Sequence, residues 1–157
     1  MATGKDGYRR GVGVMLLNRE GKAFVGARID NTDEAWQMPQ GGIDKGEKPW
    51  ATALRELEEE TGIAPHLVEK ITATPERLKY DLPSDLQPKL WGGKWKGQDQ
   101  DWFLARFLGS DADVNIHTED PEFREWKWIE PAQLPDLIVP FKRELYRQLL
   151  REFADYL

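Results

Sequence analysis

Residues 41–63 read GGIDKGEKPWATALRELEEETGI. Pro49 suits the first turn of a helix and Gly62 its C-terminal stop, so the spacing predicts a helix between them. Projected at about 100° per residue, Trp50, Ala53, Leu54 and Leu57 share one face, the one expected to pack on a sheet. Glu56, Glu59 and Glu60 fall within another sector of roughly 100°, and Glu58 points away from them. Carboxylates at i, i+3 and i+4 repel one another by a few tenths of a kcal/mol per pair on a bare helix. A divalent cation reverses that sign, and an all-oxygen donor set suits Mg²⁺ or Mn²⁺. The competing reading is a solvated acidic face, which is what most charge runs are.

Working outward, residues 11–17 (GVGVMLL) read as a buried strand closed by the turn Asn18-Arg19-Glu20-Gly21, with residues 23–28 as its hairpin partner. Residues 36–42 (WQMPQGG) read as a loop by their Pro and Gly. Residues 68–82 contain strand-like alternation at Leu78, Tyr80 and Leu82. Residues 83–100, with two Pro and three Gly, read as one long loop, a length that usually signals function or disorder. Residues 102–108 and 126–129 read as further strands. From Pro140 onward Phe141, Leu145, Leu149 and Phe153 recur every four residues, an amphipathic closing helix. Strands interleaved with a central and a terminal helix define a mixed α/β class. No repeat or linker divides residues 1–157, which read as a single domain.

Composition narrows the chemistry. The 157 residues carry 22 Lys and Arg against 28 Asp and Glu, a formal charge of −6, which argues against blanket electrostatic binding of duplex DNA. No cysteine means no disulfide, thiolate zinc site or cysteine nucleophile. His66 and His117 are the only histidines, a poor basis for a multi-histidine metal site or a Ser-His-Asp relay. No apolar run approaches about 18 residues, and residues 1–6 lack a signal-peptide core, so no membrane association and a cytoplasmic location are expected. Among seven Trp, Trp91 and Trp95 sit in the Gly/Lys-rich loop, where core packing is a weaker explanation.

The frame Gly41, five residues, Glu47, seven residues, Arg55-Glu56-Leu57, Glu58, Glu59-Glu60, Thr61, Gly62-Ile63 resembles the Nudix box G-x5-E-x7-R-E-U-x-E-E-x-G-U, with U a bulky aliphatic. Every specified position matches, and chance agreement in a chain this long should be rarer than roughly one in a million. The resemblance implies an α/β/α sandwich around a mixed sheet, and hydrolysis of a nucleoside diphosphate linked to another moiety. It implies that Glu56, Glu59 and Glu60 ligate Mg²⁺ or Mn²⁺, more than one ion, with Gly41 beside them and Glu56 or Glu59 taking the proton from water. Glu47 and Arg55 are placed for a salt bridge bracing loop against helix, and Gly62 for a left-handed cap.

Outside the box, Asp6-Gly7-Tyr8-Arg9, residues 36–42, Pro121-Glu122-Phe123 and Phe141-Lys142-Arg143 resemble one branch of that family. The branch contains bacterial RNA pyrophosphohydrolases and asymmetric diadenosine tetraphosphate hydrolases. It implies Glu122 as a distal metal carboxylate. Arg9, Arg28, Lys79 and Lys142 are implied as phosphate donors, with Tyr80 and Phe141 contacting phosphate or base. The implied substrate is a 5′-triphosphorylated RNA end, yielding a 5′-monophosphate and pyrophosphate. The alternative is a dinucleoside polyphosphate, yielding ATP and AMP from diadenosine tetraphosphate, for which the Trp91–Trp95 loop would grip the second adenosine. A catalytically silent nucleotide-binding module is the reading from another class, and the retained box carboxylates argue against it. Two departures stand out: Arg10 replaces a common Pro, and Asp99 and Asp101 replace Lys, which puts that segment's phosphate contacts in question unless Lys89, Lys94 and Lys96 compensate.

Overall fold

In the computed structural model, which describes residues 6–30 and 34–157, alternation along three long strands sorts the apolar residues onto two faces of one sheet. On strand β1 (Tyr8–Leu17) Val12, Val14 and Leu16 face one way, Met15 and Leu17 the other. Strand β2 (Ala23–Arg28) splits Phe24 from Ala23 and Val25 in the same manner. The first set packs on helix α1 (Pro49–Thr61) through Ala53 and Leu57. The second packs on α2 (Leu134–Leu137) and α3 (Arg143–Glu152) through Leu134, Leu145, Tyr146 and Leu149. Each face of the sheet thus carries its own core and its own helical layer, the expected α/β/α sandwich.

The remaining strands are β3 (Gln40–Gly42), β4 (Val68–Ala73), β5 (Leu78–Asp81), β6 (Gly97–Phe107) and β7 (Phe123–Ile129). The sheet order is β4-β6-β1-β2-β7, with β3 also on β1 and β5 also on β6. β1 and β6 run parallel over their lengths, while the other pairs are antiparallel, so the sheet is mixed. A bulge between Ala27 and Arg28 shifts the β7 register and returns Phe123 to the α1-side core, opposite Ile129. Among the described residues no helix is long and apolar enough to cross a membrane.

Two loops predicted from sequence end in strands. Gln40–Gly42 pairs with the N-terminal half of β1, and the segment before it is clamped by Gly26–Gln37 hydrogen bonds in both directions and by the Val14 N–H donating to the Pro39 carbonyl. The long loop stops at residue 96, after 3₁₀ turns at Gln87–Lys89 and Trp91–Gly93, because Gly97 onward is recruited beside β1. The Gln98-Asp99-Gln100-Asp101 run looks polar, yet Gln98 and Gln100 are fully buried. Trp95 is a core residue at 5% exposure, whereas Trp91 packs only partly against the α3-side core, so core packing accounts for Trp95 and for one side of Trp91.

Candidate active site

Helix α1 starts at Pro49, and Gly62, at φ 72°, closes it in the left-handed region with its N–H on the Glu58 carbonyl. Ala53 and Leu57 seat the helix on the sheet, Trp50 lies 5.1 Å from Phe103 between ring centroids, and Leu54 is half-buried. This seating separates the three acids. Glu60 is driven into the crevice between helix and sheet at 2% exposure, Glu56 lies half-buried and Glu59 stays exposed.

Arg55 braces the loop as its spacing predicts. Its Nε and Nη2 donate to the two Glu47 carboxylate oxygens at 2.8 and 2.9 Å, and Nη2 also reaches the Gly42 carbonyl at 3.2 Å. Its Nη1 donates to Glu56 at 3.0 Å and to Glu59 at 3.2 Å. The bidentate partner holds the Glu47 carboxyl down at about 2. Burial does the opposite to Glu56, pushing its carboxyl up to about 7 against the pull of Arg55. Burial and the charges of Glu56 and Glu122 raise Glu60 well above the usual carboxylate range, and the Gln40 backbone N–H relieves this only in part. One Glu60 oxygen, Oε2, is buried without a hydrogen-bond partner. Glu122, at the entry to β7, pairs with Arg28 at 3.4 Å, and Arg28 also holds Asp30 at 2.8 Å.

Glu60 therefore senses both Glu56 and Glu122. Among the described residues, however, no three acids are drawn together closely enough to form a finished cation cage. The donor set still suits a hard divalent cation: every group is an oxygen acid, and a buried carboxylate oxygen lacks a donor. Gly41 has a packing part besides the one the resemblance implies. Its carbonyl faces β1, 2.7 Å from where a Cβ on Gly11 would stand, while a Cβ on Gly41 itself would overlap the Glu56 carboxyl. Gly41 is the cradle that lets Glu56 lie against β3.

On the α3 side of the sheet a cationic and aromatic cluster assembles from four distant segments, with Tyr80 and Lys142 buried and Arg9, Trp91 and Phe141 half-buried. Arg9 lies against Gly42, where a Cβ would strike its guanidinium, and 5.1 Å from the Trp91 ring centroid. Tyr80 faces Phe141 with centroids 6.0 Å apart, and the Lys142 Nζ stands 5.1 Å from the Tyr80 centroid. Burial pulls Arg9 below its usual value, partly offset by Glu56 and by Glu122 among others, so this surface borders the acids. The structure thus brings Arg9, Tyr80, Phe141 and Lys142 together. Arg28 sits instead with Glu122. Lys79 does not join: the alternation of β5 that buries Leu78 and Tyr80 turns it to the opposite face, onto Asp6 at 2.9 Å and over the Tyr8 ring.

The two departures of sequence explain each other. Asp101 pairs with Arg10 at 3.0 Å and buried Asp99 with Arg77 at 3.2 Å, both across the face away from Gln98 and Gln100. The acidic residues lie outside the Arg9 surface, and their positive partners come from neighbouring strand and turn. Sequence reasoning passed over Gln40, Gln98 and Gln100. Their signal was the Gln98-x-Gln100 alternation leading into an apolar strand, and Gln40 directly before Gly41-Gly42.

An acid-bearing helix cradled by a Gly-Gly strand, within a mixed sheet covered on both faces, is the arrangement of a Nudix domain. The NUDIX domain model matches residues 7–149, and the chain belongs to the Nudix hydrolase family. An RNA pyrophosphohydrolase of Novosphingobium aromaticivorans is 59% identical over 150 residues, 94% of this chain and 93% of that one. That of Erythrobacter litoralis is 58% identical over 148 residues, 93% of this chain and 90% of the other. Among solved structures, an Ap4A hydrolase binary complex from C. elegans superposes with a TM-score of 0.67 at 21% identity, covering 94% of this chain and 99% of that one. The dihydroneopterin triphosphate pyrophosphohydrolase of E. coli gives 0.68 at 18% identity, covering 92% and 97%. These two likenesses speak for the fold alone.

Proposed function

We propose that this chain, as one Nudix domain over residues 1–157, removes pyrophosphate from the 5′-triphosphate end of RNA in the cytoplasm. The observation that carries the reading is the pairing of two surfaces across β3: acids Glu56 and Glu60 on one side, and Arg9, Tyr80, Phe141 and Lys142 on the other. The relatives named RNA pyrophosphohydrolase, 51–59% identical over most of the chain, support it.

Glu56, Glu59, Glu60 and Glu122 would hold Mg²⁺ or Mn²⁺, more than one ion. Bound there, the cation supplies charge neutralisation for the oligophosphate and a more acidic water. Arg9 and Lys142 donate to phosphate oxygens, and half-buried Phe141, backed by buried Tyr80, offers a flat face to the terminal base, as single-stranded RNA requires. Water attacks the α-phosphorus in line, the α–β P–O bond breaks, pyrophosphate leaves, and a carboxylate oxygen of Glu56 or Glu59 takes the proton.

Incubation with Mg²⁺ and either triphosphorylated RNA or diadenosine tetraphosphate tests the substrate. The expected result is the higher kcat/KM on RNA, and a clear preference for the dinucleotide would reverse the reading. A specific observation keeps the dinucleotide as second reading: Trp91, the one non-glycine residue with positive φ (49°) among the described residues, carries Arg9 over its ring and offers a site for a second adenine. Glu59→Gln is isosteric and helix-compatible, so hydrolysis should fall at least about 10²-fold while the melting temperature holds. Near-normal turnover would return Glu59 to the exposed acids.

A further inference from the structure

We propose that the Gln40 side-chain amide donates a hydrogen bond to the substrate's oligophosphate, and that Trp102 sets its direction through Gln100 across a trough of two glycines in β1. This rests on the reading that the Arg9 surface receives such a phosphate chain.

An indole N–H can donate and cannot accept. The Trp102 Nε1 donates to the Gln100 Oε1 at 2.9 Å, which identifies the oxygen end of the Gln100 amide. The nitrogen end then donates to the Gln40 Oε1 at 3.1 Å, which identifies the oxygen of Gln40 in turn. The polarity leaves no choice at the last member: the Gln40 Nε2 is turned outward as a donor. Without the indole, the two amides have two equivalent arrangements, and Gln40 could present either atom.

The relay crosses β1, and β1 is built to let it pass. Trp102 stands opposite Gly13, which stands opposite Gln40, and Gln100 stands opposite Gly11. Neither glycine has positive φ, so backbone freedom does not explain them. A Cβ on Gly13 would land on the Trp102 ring, and one on Gly11 would lie 2.7 Å from the Gly41 oxygen and 3.0 Å from the Gln98 Oε1. The inner members, Trp102 and Gln100, are fully buried, whereas Gln40 is half-buried. Gln40 shares its strand face with Gly42, against which Arg9 rests. Among the described residues nothing accepts from the Gln40 Nε2. A fixed donor beside Arg9 matches a ligand rich in acceptors, as a phosphate chain is.

The test is the steady-state hydrolysis of a triphosphorylated RNA decamer with Mg²⁺, with a melting curve for each variant. Position 100 is fully buried, which favours the neutral acid, so Gln100→Glu is assayed at a pH high enough to ionise it. The carboxylate then accepts from both Trp102 and Gln40, and Gln40 reverses and turns its oxygen toward phosphate. KM should rise roughly tenfold or more, with kcat little changed. Gln40→Ala should raise KM less, and adding Gln100→Glu to it should raise KM no further. If Gln100→Glu fails to fold, Gln40→Glu at the rim presents the same wrong polarity and should raise KM alike. Unchanged KM in the folded variant at every pH where wild type stays active, or an equal rise in the Gln40→Ala background, overturns the relay while leaving the proposed function standing. Absence of wild-type turnover overturns the function instead. The relay is then judged by titrating inorganic pyrophosphate against ¹⁵N-labelled protein. The Gln40 side-chain amide resonance should shift in wild type and stay still in Gln100→Glu, and no wild-type shift overturns the relay.

Discussion

Glu59 and Glu60 are neighbours on one helix, yet Glu59 keeps a side chain 56% exposed beside Arg55 while Glu60 is 2% exposed with an unpartnered oxygen. The difference is one step of 100°, which swings the second carboxylate under β3. Glu47 shows the converse case. Because Arg55 depresses its carboxyl to about 2 from an ordinary 4.5, the bridge stabilises the fold fully above pH 4.5 and loses that contribution as pH falls through about 2. Glu47→Gln should therefore cost about 1–2 kcal/mol at pH 7, allowing for partial exposure. Urea melts should show the gap to wild type narrowing by about half at pH 3. A constant gap would mean that packing, not charge, carries the contact. At Gly41 the expected defect is positional. Gly41→Ala would displace the Glu56 carboxyl, and turnover should fall by about 10²-fold, the scale of losing a proton-transfer group. Wild-type turnover in that variant would separate Glu56 placement from catalysis.

At the level of elements, β1 carries three tasks along one strand. Its even positions 12, 14 and 16 fill the α1-side core, its glycines open the trough, and Arg10 crosses to Asp101 on β6. The last contact explains why an acidic segment can stand where the resembled family carries Lys. Asp101→Lys should destabilise by about 0.5–1 kcal/mol, since it sets like charges beside each other on paired strands. Arg10→Glu in the same chain should restore much of that loss, read as a double-mutant cycle in thermal melts. Additive losses would show that the two side chains do not couple. The helices divide labour likewise: α1 delivers the acids, whereas α3, through the Tyr146 hydroxyl accepting from the Met38 N–H at 2.9 Å, holds the segment that feeds β3.

At the scale of the molecule, the sheet carries the acids on one face and the Arg9 cluster on the other, and lets them meet only around β3. Burying Glu60 works against folding at neutral pH, because its charge is held in a site that favours the neutral acid. Glu60→Gln should accordingly melt no lower than wild type in the presence of a chelator. Saturating Mg²⁺ should raise wild-type stability by about 2–3 kcal/mol at 100 times its dissociation constant and raise the variant less. An equal metal response would remove Glu60 from the cation site.

What the sequence alone determined is what local spacing encodes. The bounds of α1, its Gly62 cap, the Glu47–Arg55 brace and the order of the acids all lie within 23 residues, where helical periodicity and capping act directly. The hairpin and the closing helix were legible for the same reason. Only tertiary structure decided which acid is buried, because that depends on where β3 crosses above the helix. It brought residues 9, 80 and 142 to one surface and turned Lys79 away, since strand register between distant segments is not written in either segment alone. It also buried Trp95 and drew residues 97–100 into β6. There a polar string is held by partners on β1, β3 and β5 that no local pattern announces.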